Sequence, residues 1–165
     1  MNPVANHRFG AKPILGCLLT ATLLLGAGAV QAQAGRFTAS PAGDTVADSK
    51  TSFTWSRCSV GQAWVNNACT GTATLFTYDQ AVAYAKAQQA GGWRLPDAKE
   101  LISLVDRERT SPAIDVAVFP GTVLNNYWTS SPMVGDPDAF WTVNFITGAL
   151  AYSFRDNVHP IRLVK

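Results

Sequence analysis

Phe140-Trp141-Thr142-Val143-Asn144-Phe145-Ile146-Thr147-Gly148-Ala149-Leu150-Ala151-Tyr152-Ser153-Phe154 reads as two strands folded about a turn. Trp141, Val143 and Phe145 alternate with Phe140, Thr142 and Asn144, the period of a pleated strand, and Thr147-Gly148 supplies the turn. Ala149 to Phe154 returns as the partner strand. On the N-terminal side, Tyr127-Trp128-Thr129 begins another strand, and Pro112, Pro120, Gly121 and Asn125-Asn126 punctuate a long irregular connection before it. On the C-terminal side, Ile161-Arg162-Leu163-Val164 reads as a last strand.

The first half is helical by contrast. Thr77 followed three residues later by Gln80 is a capping box opening an alanine-rich helix that Gly91-Gly92 ends. A second helix starts the same way. Pro96 blocks an earlier start, Asp97 caps the first amides, Glu100 reaches back, and Leu101, Leu104 and Val105 form the inward face. Gly35 to Ser52 is turn-rich, with Pro41, Gly43 and Asp44, and leads as an entry hairpin into Phe53-Thr54-Trp55. Two helices followed by a strand-rich half predict an α+β fold with a twisted antiparallel sheet and long loops.

The N-terminus orders cationic His7, Arg8 and Lys12, an apolar run from Ile14 to Val30, and small residues ending at Ala32. That order predicts a signal peptide over residues 1–32 and a single domain over 33–165. A transmembrane anchor is the alternative, disfavoured by Gly16, Gly26 and Gly28 and by the absence of a following basic cluster. Cys17 reads as part of the leader's apolar core and not as an acylation site, because Leu15 is large and most of the run follows the cysteine. Removing Arg8 and Lys12 from the thirteen basic residues leaves eleven against eleven acidic ones, so the formal charge of +2 belongs to the leader. Without a basic stripe there is no argument for nucleic acid or an anionic membrane surface.

Cys58 and Cys69 remain, with ten residues between them, in a chain read as exported. A disulfide closing that loop would contribute roughly 3 kcal/mol. Half of a metal site is the rival reading, but His159 is the only histidine outside the leader and no CxxC occurs, so the expectation is no metal and no cofactor.

Several segments in order resemble one family. They are Thr45-Val46-Ala47-Asp48, Lys50-Thr51, Trp55, Arg57-Cys58-Ser59-Val60-Gly61-Gln62-Ala63-Trp64 and Cys69-Thr70-Gly71-Thr72-Ala73. Gly92-Trp93-Arg94-Leu95-Pro96 with Glu100-Leu101, Tyr127-Trp128-Thr129-Ser130-Ser131, Trp141 to Gly148 and Ile161 to Val164 continue it. The chain resembles the Lcl C-terminal domain family, a domain of unknown function in exported bacterial proteins. The resemblance implies a C-type-lectin-like fold and, for the adhesin that gives the family its name, attachment to sulfated glycosaminoglycans and cell surfaces. That adhesin's collagen-like stalk has no counterpart here, since no Gly-X-Y repeat occurs. Among the matched residues, Trp93, Leu95, Trp128, Trp141 and Phe145 read as core. Arg94 and Arg162 read as ties to carboxylates or carbonyls, and Pro96 and Glu100 as helix-start residues.

Calcium-dependent sugar binding in such a fold uses Glu-Pro-Asn or Gln-Pro-Asp followed by Trp-Asn-Asp, and none of these triplets occurs. Gly135-Asp136-Pro137-Asp138 is the nearest substitute, and two carboxylates fall short of a calcium shell. No serine sits in a Gly-x-Ser-x-Gly elbow, Asp97 and Glu100 are helix caps, and Asp106-Arg107-Glu108-Arg109 reads as a solvated helix end. The expectation is therefore a binding module for a glycan or protein at the bacterial envelope or outside the cell, not an enzyme. A structural or accessory subunit of an envelope assembly is the alternative, and an enzyme of unknown activity comes third. The candidate ligand surface comprises Asn125, Asn126, Tyr127, Asp136, Asp138, Arg155, Asp156 and Asn157, whose amides, ring and charges lie in or beside loops. Bases dispersed at Arg107, Arg109, Arg155, Arg162 and Lys165 give a sulfated glycan no obvious cluster.

Overall fold

The computed structural model describes Met1 and residues 35–165, so the expected leader over residues 1–32, Cys17 included, lies outside the described residues apart from Met1. Phe37–Ala39 (β1), Thr45–Asp48 (β2) and Thr54–Ser56 (β3) form an antiparallel sheet in the order β1-β2-β3, which contains the expected entry hairpin. Asp48, buried at the end of β2, receives Arg36 Nε and Nη2 at 2.8 and 2.6 Å as well as the Thr51 hydroxyl and the Lys50 amide. Burial pushes its carboxyl pKa up, but these donors together hold it below the ordinary value.

Ala63–Val65 (β4) and Ala68–Thr70 (β5) form a hairpin whose turn residues, Asn66 and Asn67, both take positive φ. Asparagine tolerates this conformation better than most residues, and it is the one a two-residue hairpin turn needs. The Cys58–Cys69 disulfide, with Cα atoms 5.3 Å apart, fastens the hairpin to the end of the first sheet.

Tyr78–Ala87 (α1) begins at the Thr77/Gln80 capping box, passes through a 3-10 turn at Gln89–Gly91 and stops at Gly92 in the left-handed region. Ala98–Ile102 (α2) begins at the Asp97/Glu100 box and is a helix of only five residues. Leu101 and Leu104 are buried as the inward face requires, although Leu104 lies in the turn that follows the helix and Val105 forms a bridge with Ile114.

Asn126–Pro132 (β6), Ala139–Asn144 (β7) and Ala149–Phe154 (β8) form the second three-stranded antiparallel sheet, with β7 in the middle. β7 and β8 pair in unbroken register from Ala139↔Phe154 to Asn144↔Ala149, while β6 and β7 shift register between Trp128 and Pro132. Period-two alternation sends Tyr127 and Val143 into one core with Leu101, Leu104 and Phe119. Trp128 and Phe140 go into another with Ala81, Ala85 and Leu95. The sheet thus separates two hydrophobic layers, with α2 on one side and α1 on the other.

The expected single sheet is divided, among the described residues, into three small ones, because the disulfide hairpin and the long connection interrupt the ladder. The expected C-terminal strand is also modified. Val164 bridges both Trp55 and Arg94, and Ser56 and Val60 donate to the carbonyls of Leu163 and Ile161. Its backbone is shared between neighbours on two sides instead of running along one.

Candidate functional site

The structure does not gather the eight expected ligand residues into one surface. Tyr127 is fully buried, its hydroxyl 2.7 Å from Ser59 Oγ and 2.9 Å from the Val123 amide, and its ring against Phe145. This corrects its placement on the ligand surface: the strand starts at Asn126, and pairing with Val143 turns position 127 inward. Asp136, Asp138 and Arg155 sit at one end of the second sheet. Asp136 accepts the Asp138 amide in a polar turn, and Arg155 links Asp138 to Asp79 at the start of α1. Arg155 also lies over the Phe140 ring, so its charge is already committed. Asp156 is exposed.

Asn125 and Asn157 meet in a different place, around a histidine. His159 Nε2 lies 2.7 Å from Ser153 Oγ, its Nδ1 lies 3.3 Å from Asn125 Oδ1, and Asn157 Nδ2 donates to the same Ser153 oxygen. Asn126 is next to this group, donating its amide to Asn125 Oδ1. Ser153 and His159 are only six residues apart, but they meet because the segment after β8 folds back, which no local pattern signals. Burial pushes the His159 pKa down, so the ring is neutral at pH 7, and Trp128 packs against its edge. A serine beside a neutral histidine has the outline of a nucleophile and base. Ser153 is nevertheless only 6% exposed and its oxygen already receives Asn157, so the group's evident effect is to fasten the segment after β8 to the sheet.

A concave site lies elsewhere, where the disulfide hairpin, α1 and the C-terminal segment meet. It is a cavity of about 320 Å³ walled by Trp64, Tyr84 and Trp93, with Asp44, Ser56 and Gln88 on its lining. That volume falls at the lower end of small-molecule sites. Each indole is backed by a cation: the Arg57 guanidinium lies 4.0 Å from the Trp64 ring centroid and Lys165 Nζ 4.6 Å from that of Trp93. Trp64 is seated against Gly43, whose φ of +78° and lack of a Cβ allow the approach; an added Cβ would lie 2.7 Å from the indole nitrogen. The indole N–H groups, the Tyr84 hydroxyl and the Gln88 amide make no side-chain hydrogen bond among the described residues. Trp93 therefore differs from its expected role as core, being half-buried at a cavity wall. The aromatic signal was visible in sequence, but three rings from separate segments carried no sign that they share a cavity.

The remaining motif residues build the frame. Arg94 forks onto both oxygens of Glu100 at 2.7 Å, and this pairing chiefly holds the Glu100 pKa below its ordinary value. Leu95, Pro96 and Trp128 are buried, with Trp128 Nε1 donating to the Phe76 carbonyl at 2.7 Å, while Trp141 is only partly buried. Arg162 is fully buried without a carboxylate. It donates to the carbonyls of Ser56 and Arg57 and to Thr122 Oγ1, lies over the Phe119 ring, and leaves its Nε unpaired. No group of three His, Cys, Asp or Glu side chains suited to a metal is found among the described residues.

The family model of the Lcl C-terminal domain matches residues 44–165. No curated protein and no solved structure matches the chain.

Proposed function

Since the chain belongs to the Lcl C-terminal domain family, we propose that it is an exported, C-type-lectin-like binding module that holds a neutral glycan in the cavity between Trp64, Tyr84 and Trp93, without metal or turnover. The observation that carries this reading is the cavity itself. Its aromatic walls suit the C–H faces of a sugar ring, and its uncommitted indole, phenol and amide groups suit the hydroxyls. The lectin-like fold is supported by the two helices, the disulfide and the pairing of the C-terminal segment with β3. Export is supported by the leader-like N-terminus and the disulfide.

A neutral ligand is favoured over a sulfated one because six of the seven arginines among the described residues are already engaged, and the seventh, Arg107, is exposed away from the cavity lining. Arg36, Arg94, Arg109 and Arg155 hold carboxylates, while Arg57 and Arg162 hold carbonyls. The 136–138 turn offers only two carboxylates, each with a protein contact, which is fewer oxygen ligands than a calcium shell uses.

The test is titration of the purified chain with neutral oligosaccharides and with heparin, followed by calorimetry and tryptophan fluorescence, in calcium and in chelator. We expect saturable binding of a neutral saccharide, unchanged by chelation and lost in Trp64→Ala and Trp93→Ala. Binding that survives both substitutions in folded protein, or selective capture of heparin alone, would refute the cavity as the site.

A further inference from the structure

β8 is an edge strand without the usual protections. Its sequence, Ala149-Leu150-Ala151-Tyr152-Ser153-Phe154, contains no charge, proline or glycine, and its pairing to β7 has no bulge. Edge strands of monomers are ordinarily blunted by just those features, since open N–H and C=O groups invite another strand. The Arg155 amide donates to the Asp138 carbonyl, which continues the β7–β8 ladder. With period two, the backbone groups of 149, 151 and 153 therefore face β7, and those of Leu150, Tyr152 and Phe154 face outward. The Phe154 carbonyl is taken by the Asn157 amide, and the other outward groups have no partner among the described residues.

The side chains at the same three positions are the exposed ones. Leu150, Tyr152 and Phe154 are 42%, 52% and 51% exposed, with the Tyr152 and Phe154 rings edge to face at 5.9 Å. Partly buried Trp141 lies directly opposite Tyr152 on β7 and flanks the apolar strip.

We infer that β8 pairs antiparallel with β8 of a second copy about a two-fold axis at Tyr152. The strip is self-complementary under that operation. Tyr152 faces Tyr152 of the other copy across the axis, Leu150 faces Phe154, and no like charges meet. The outward groups of Tyr152 close a reciprocal pair of hydrogen bonds, and two three-stranded sheets become one of six strands. The cavity at Trp64 is formed by other elements, so a dimer presents two such sites and gains avidity for a repeating ligand.

Sedimentation of the full chain over a concentration series tests this, together with Tyr152→Lys, Tyr152→Glu and an equimolar mixture of the two. Val158→Lys serves as a control at an exposed apolar residue outside β8. Melting curves verify that each variant is folded. Wild type and Val158→Lys should be dimeric, the two Tyr152 variants monomeric, and their mixture dimeric again, because lysine would meet glutamate across the axis. A wild type monomeric up to on the order of 100 μM, a dimer indifferent to both Tyr152 charges, or a mixture that stays monomeric would each overturn the proposal.

Discussion

Replacing both cysteines by alanine tests the load carried by the link between the first sheet and the β4–β5 hairpin. The bridge spans a sequence separation of 11. Closing a loop of that length removes roughly 9 cal/mol/K from the unfolded chain, which is about 3 kcal/mol near room temperature. Cys58 is 7% exposed, so loss of its sulfur adds a small packing penalty in the same direction. For a domain of this size, about 3 kcal/mol corresponds to a fall in Tm of roughly 10 °C. Urea and thermal unfolding of the oxidised wild type and of Cys58→Ala/Cys69→Ala measure it, with the far-UV spectrum confirming a retained fold. The same variant should lose saccharide affinity by a larger factor than it loses helix content, because the tether positions Trp64 at the cavity wall. A Tm within a degree or two of wild type would refute the loop-entropy argument. Unchanged affinity alongside the expected fall in Tm would refute the link between tether and site.

Gly43→Ala should unseat Trp64, since the new Cβ meets the indole nitrogen and the backbone holds a positive φ; a loss of about 1–3 kcal/mol with a shifted tryptophan emission in the ligand-free protein is expected. His159 has a folded-state pKa lowered by burial, so the unfolded state binds the proton more readily. Stability from this group is therefore complete above the unfolded value of about 6.5 and is lost as pH falls from there through the lowered folded value; His159→Gln should flatten that part of a stability-versus-pH curve. Arg162→Lys keeps the charge but not the fork, stranding one or two of the carbonyls of Ser56 and Arg57, and should cost about 2–4 kcal/mol in urea unfolding.

Local chemistry was the legible part of the fold. Both capping boxes, the turn at Thr147-Gly148 and the returning strand Ala149–Phe154 involve residues within a few positions of each other, so pattern and structure coincide. Tyr127 was misplaced because Asn125-Asn126 signals a turn equally well when a strand begins at its second residue, and one position of register decides which way a ring points. The cavity required Trp64, Tyr84 and Trp93 to converge from a hairpin, a helix and the turn after it, and nothing in a ring's immediate neighbours separates a wall from a core. The contact of His159 with Asn125, 34 residues earlier, is long-range in the same sense, while its contact with Ser153 is set by how the segment after β8 folds back.

The pairing of segment 161–165 with β3 governs how the molecule can be assembled. Arg162 fills a place beneath Ser56, 106 residues earlier in the chain, and Val164 joins Trp55 to Arg94. Contacts of such separation raise the contact order and make closure of a very long loop a late, slow event. A nascent chain emerging N-terminus first would hold β1–β3 with an open flank until this segment arrived. Cooperative folding would therefore wait until the last residues of the chain were free to dock against β3.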